Sequence, residues 1–186
     1  MQDLIAEIKR EFPKFSIVKK QDSKLMRTIA VFLRILTFGQ ATDFMSRFHT
    51  TIGYTLYVSS SWDSMPNQGK MVVLRHERVH MRQAAAYGLL LFSFLYLFFP
   101  LPFILAYFRM KFEREAYEES MRATLELYPG GISILTRPFY KERMVRHFTS
   151  AEYFWMWPFK RSVEKWFDGY LLHLKTKVVP LQTESW

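Results

Sequence analysis

The chain has 186 residues, with 26 Lys plus Arg against 17 Asp plus Glu and a net charge of +9. Nearly half of it is apolar and 18% is aromatic, which excludes a disordered or low-complexity protein and fits one domain, residues 1–186, with a real core. Cysteine is absent, so disulfide scaffolds, thiolate zinc ribbons and cysteine nucleophiles are excluded. The basic excess fits a solvated surface or attraction to an acidic partner, and no nucleic-acid motif accompanies it. The opening MQDLIAEIKREF carries charges every few residues, unlike a secretory signal, so a cytoplasmic or virion-associated placement is expected over secretion.

Residues 2–11 read as an amphipathic helix with Leu4, Ile5 and Ile8 on one face, ended before Pro13. Phe15 to Lys19 is a strand candidate. Ser23 suits the N-cap of a helix running to Leu36, with Gly39 beyond its end. Thr50 to Ser59 reads as one strand, and Trp62 to Gly69 as a loop by its Pro, Asn and Gly. A helix pattern resumes at Lys70 and runs to Gly88; another runs from about Pro102 to Tyr128 and stops at Pro129-Gly130-Gly131. The C-terminal third, 132–186, is dense in apolar, basic and Trp residues and is expected to form a mostly helical cap.

Residues 76–80 read His-Glu-Arg-Val-His. On a helix, positions i and i+4 share a face, so His76 and His80 can present two imidazoles to one metal ion. Glu77 then stands beside the open coordination position, where it can take a proton from water. The alternative is a pair of surface histidines with a salt-bridging Glu, so a third ligand is needed. The carboxylates of Phe112-Glu113-Arg114-Glu115-Ala116-Tyr117-Glu118-Glu119 supply candidates on a second helix.

HExxH followed by Glu-x-x-Ala on a later helix resembles the gluzincin group of zinc metallopeptidases. The pairing of LRHERVHMRQ with EREAY is also similar to small uncharacterised peptidase-like proteins of bacteria and phages. The resemblance covers roughly residues 50–125. It implies an α+β, zincin-like fold: a small sheet with helices packed to one side, the active-site helix, the glutamate helix and the helical cap, the core spanning 50–128. It also implies zinc (Zn2+) held by His76, His80 and Glu113, a peptide or protein substrate, and hydrolysis with Glu77 as general base. Glu115 is the rival third ligand, and Glu118 and Glu119 are expected on a solvated face. Where such families often carry Asp or Asn four residues after the ligand, this chain has Tyr117, which bears on the support of the site. Such peptidases use a Tyr or His to steady the oxyanion; His147 is the first candidate here, with Tyr140 and Tyr153 behind it. The Tyr54–Val58 strand is expected to offer a sheet edge to an extended substrate. Trp155 to Phe159 can line a pocket or belong to the core, and His49 and His173 are expected to be structural.

Residues 83–108 carry no charge and are long enough for a membrane span. If His80 and Glu113 meet on one ion, a single straight helix is excluded, because it would set them roughly 50 Å apart. The segment must then double back, with Gly88 ending the active-site helix, Pro100-Leu101-Pro102 turning the chain, and 89–99 forming an apolar arm. That arm is either core, packed by the C-terminal third, or a hairpin meeting a membrane surface or larger assembly, with Arg82, Arg109, Lys111 and Arg114 at its mouth. Two other functions therefore stand beside the peptidase. One is a non-enzymatic structural or virion-type interaction protein that keeps the zincin fold. The other is a peripheral membrane factor that uses the 83–108 hairpin.

Overall fold

A computed structural model describes residues 1–36, 39, 44–46, 48–97, 106–150 and 156–178. Among these the protein is α+β and mostly helical, with one three-stranded sheet. It falls into two compact units, Met1–Leu89 and Leu90–Trp186, each with its own apolar core; the span 50–128 straddles that division. No helix among the described residues is long and apolar enough to cross a membrane.

The first unit opens with α1 (Gln2–Glu11), β1 (Ser16–Lys19) and α2 (Lys24–Leu36). The Ser23 hydroxyl accepts the Met26 amide at 3.3 Å, the cap expected of it. The single strand expected over Thr50–Ser59 is instead a hairpin, β2 (Thr50–Ile52) and β3 (Thr55–Val58). Gly53, at φ +61°, turns the chain through a conformation that side chains disfavour. β1 pairs with β3 in parallel and β2 pairs with it antiparallel, so β3 is the central strand. The expectation that residues 54–58 offer a sheet edge is thereby corrected. Both sides of β3 are already hydrogen-bonded, through Ile17 opposite Leu56 and Thr51 opposite Leu56. Leu56 and Val58 alternate inward from β3, as the two-residue period of a strand requires.

The helix expected from Lys70 starts earlier. α3 runs Asn67–Tyr87, directly after Pro66, so Asn67 to Gly69 are helical rather than loop. Gly88, at φ +78°, ends it as expected. Leu74, Met81 and Ala84 form the buried stripe of α3, and Leu74 and Met81 pack with Ile8 and Phe12 of α1, Phe15, and Leu56 and Val58 of β3. On its outer side α3 is clamped to α1. Arg78 Nε and Arg82 Nε donate to opposite oxygens of Glu11 at 2.7 and 2.6 Å, and Arg78 also reaches Glu7 at 3.3 Å. The Arg82 hydrogen bond leads in holding the Glu11 carboxyl below its usual pKa, with Arg78 adding to it. This clamp uses side chains one turn apart and so fixes the rotation of α3 about its axis, and with it the face that carries the histidines.

In the second unit, α4 (Leu89–Leu97) and α5 (Ala106–Leu127) are followed by α6 (Gly131–Leu135), α7 (Pro138–Thr149) and α8 (Lys160–Val178). The C-terminal third is thus mostly helical where described, as expected. Its core joins Met110 and Met121 of α5, Leu135, Met144 and Phe148, and Val163, Trp166, Phe167 and Leu171 of α8. The apolar arm is the helix α4, and it returns to the glutamate helix: Phe92 packs on Phe112, ring centroids 5.1 Å apart. It is not buried core, however. Leu90 is 88% exposed and Leu91 and Phe94 are about half exposed, because a helix apolar all round has more greasy surface than one neighbouring helix can cover. Three of the four cations expected at its mouth have partners: Arg82 holds Glu11, while Arg109 and Arg114 lie over the rings of Tyr96 and Trp166; Lys111 is exposed. The turn at Pro100-Leu101-Pro102, with Tyr153, Trp155 and Trp186, lies outside the described residues.

Candidate metal centre

In the first unit the HExxH residues occupy the middle of α3. His76 and His80 are one turn apart, and their Nε2 atoms stand 3.2 Å from each other. Two imidazole nitrogens on a tetrahedral zinc, each about 2.0–2.1 Å from the ion, stand roughly 3.3 Å apart, so the donor pair fits the metal. The outer nitrogen of His80 is also held: Nδ1 donates to Gln83 Oε1 at 2.9 Å. A proton kept on Nδ1 leaves the lone pair on Nε2, the tautomer a metal ligand needs. Gln83 has the i+3 spacing that brings it back over His80, yet it carries no motif signal. Replacing it by Leu is expected to weaken zinc affinity by about 10–100-fold with the helix intact, measured by competition with a chelator.

Glu77 lies within the buried stripe of α3 at 8% exposure. A carboxylate in that position must be compensated by nearby charge or hydrogen bonds. Two bases of this unit, buried Lys20 and partly buried His49, feel its charge. Lys20 is 1% exposed; its Nζ donates to the Phe44 carbonyl at 2.9 Å and stands 3.5 Å from the Phe44 ring centroid. Burial pulls the Lys20 amine down to about 7, and Glu77 acts in the opposite sense. His49 is likewise lowered by burial and raised by Glu77. Its Nδ1 accepts the Ser59 amide at 3.2 Å and its ring meets the edge of Trp62, the structural role expected of it.

In the second unit Glu113 sits on α5 at 7% exposure, and Tyr96 of α4 donates its hydroxyl to the carboxylate. Its rival Glu115 points to solvent on the same helix. One turn beyond Glu113, Tyr117 is hydrogen-bonded to His147 Nδ1 at 2.9 Å, and the two rings stack with centroids 5.4 Å apart. The residue that replaces the expected Asp or Asn therefore orients the candidate oxyanion donor. Tyr140 belongs to the core, against Phe167, and burial raises its pKa. Glu118 is not simply solvated, since it accepts the Trp166 indole N–H at 2.7 Å; Glu119 pairs with Arg122 at 2.8 Å. Met156 is buried, Trp157 packs against the core and Phe159 is exposed.

The structure thus brings His76 to His80, Glu113 to Tyr96, and Tyr117 to His147. Four partners escaped the sequence reading: Gln83, Tyr96, Tyr117 as a partner of His147, and the buried Lys20. An open groove of about 470 Å³ along α5 and α8, lined by Arg114, Lys165, Trp166, Tyr170 and His173 among others, contains none of His76, Glu77, His80, Glu113 and His147. Comparison with protein-family models, with curated proteins and with solved structures finds no match.

Proposed function

We propose that the protein is a zinc-dependent peptidase of zincin-like architecture, in which His76, His80 and Glu113 hold the metal and Glu77 is the general base. The observation that carries this reading is the His76–His80 pair, its ring nitrogens 3.2 Å apart, with the buried Glu77 on the same helical turn. Two neutral imidazoles at that distance share one hydrogen bond at most, whereas a cation satisfies both lone pairs. Buried Glu113, oriented by Tyr96, supports its choice over exposed Glu115.

Zinc in such a site acts as a Lewis acid toward the carbonyl and the attacking water. Glu77 accepts the proton of that water as its oxygen attacks the peptide carbon, then delivers it to the leaving amine, so one carboxylate serves as base and acid in turn. His147, its ring set by Tyr117, is the donor assigned to the developing oxyanion. Gln83 and Tyr96 orient His80 and Glu113 without touching substrate.

Metal analysis of protein purified without a histidine tag tests the ligand set. Wild type and Glu115→Ala are expected to carry one zinc per chain, while Glu113→Ala loses it. Stoichiometric zinc in Glu113→Ala, or none in wild type, overturns the proposal. Wild type is also expected to cleave members of a peptide library, and chelation to stop it.

A further inference from the structure

We infer that α2 is a membrane-interface helix that seats the first unit on a bilayer containing anionic lipid. The inference is independent of the peptidase reading and uses a different element from the apolar arm. α2 turns Met26 fully inward, while Leu25, Val31, Phe32 and Ile35 are 49, 60, 59 and 69% exposed. These four lie on one side of a 3.6-residue helix, with Lys24 and Thr28 between them. Thr28 does not break the stripe, because its hydroxyl is turned to the Lys24 carbonyl at 3.1 Å. A soluble helix carries polar groups on its outer face; here half of the exposed positions of α2, namely Leu25, Val31, Phe32 and Ile35, are aliphatic or aromatic.

Charge complementarity names the occupant. Arg27 and Arg34 are exposed along one border of the stripe, Lys24 is exposed within it at the first residue of the helix, and α2 itself contains no acidic residue; Asp22 precedes it. An apolar face bordered by Arg, with Lys at its start, is what an interfacial helix presents to acyl chains and anionic headgroups. A second copy of the chain paired through the same face would set these three cations against their own counterparts, which disfavours it. The 13 residues of α2 reach about 20 Å, too short to span a bilayer core of about 30 Å, so the helix lies along the surface. The exposed side of α4 has no such border, since its sequence LLLFSFLYL is uncharged, and nothing there identifies what covers it.

Flotation of the full chain with phosphatidylcholine vesicles, with and without phosphatidylglycerol, tests this. The wild type is expected to float with the anionic vesicles and to be released by high salt. Phe32→Glu with Ile35→Glu, and separately Arg27→Glu with Arg34→Glu, should each lower the bound fraction about tenfold. Circular dichroism checks that both variants fold; the charge variant changes only exposed polar positions and keeps the test alive if the apolar one does not. Failure of wild type to bind anionic vesicles, or binding by folded variants equal to wild type, overturns the inference. So does a wild-type dimer that Phe32→Glu dissociates without any vesicle binding, which would make the face a self-association surface.

Discussion

Glu77→Gln is expected to lower peptide hydrolysis by about 10²–10⁴-fold while leaving zinc content and folding unchanged. Gln keeps the shape and one acceptor oxygen of Glu but cannot take and return a proton. The residue is nearly buried in the stripe between Leu74 and Met81, so an isosteric change leaves packing intact. None of the proposed ligands is altered. A loss of binding alone would appear in KM; loss of the proton carrier appears in kcat. Hydrolysis by Glu77→Gln at the wild-type rate, with zinc present, would sink the assignment of the base while sparing the metal site. Loss of zinc in the same variant would instead show that Glu77 serves the metal directly.

Much of the candidate site was legible because it rests on local spacing. His76, Glu77 and His80 need only a helix to share a turn, and Gly88 ends that helix as a Gly should. Glu113 and Glu115 differ in exposure because two residues along a helix turn a side chain by more than half a revolution. The rest depends on partners distant in sequence. Tyr96 reaches Glu113 from an uncharged run that reads as grease, and His147 finds Tyr117 thirty residues away. The sheet shows the same division. The β-forming residues at 50–58 were recognisable, but Gly53 was the only local sign of a hairpin, and nothing near β3 tells that β1 returns to pair with it in parallel. Lys20 is the extreme case: in the run Lys19-Lys20 the two side chains are indistinguishable by composition, yet their surroundings are opposite.

Lys20→Met is expected to stabilise the protein at mildly acidic pH and to lose that advantage as pH rises. Burial lowers the Lys20 pKa from 10.5 to about 7. Between those values the unfolded chain holds a proton on this amine that the folded chain has released. Folded stability therefore rises with pH across that window, and below it the full cost of a buried cation is present. At about 1.4 kcal/mol per pKa unit this amounts to a few kcal/mol. Met fills similar volume without the charge. It forfeits the hydrogen bond to the Phe44 carbonyl, worth about 1 kcal/mol, and the attraction of Glu77. The stability curves of wild type and variant should thus cross, the variant ahead below pH 7 and wild type ahead near pH 10.5. Lys19→Met is the control with the reverse sign. Its amine bonds Asp63 at 2.6 Å and its pKa is raised by that partner, so its contribution is present below 10.5 and is lost as pH climbs through the raised value. Urea denaturation of the three proteins at about pH 6, 8 and 10, at fixed metal loading, reads these differences. A gap between Lys20→Met and wild type that does not change with pH would mean that the amine stays charged in its buried seat, held there by Glu77.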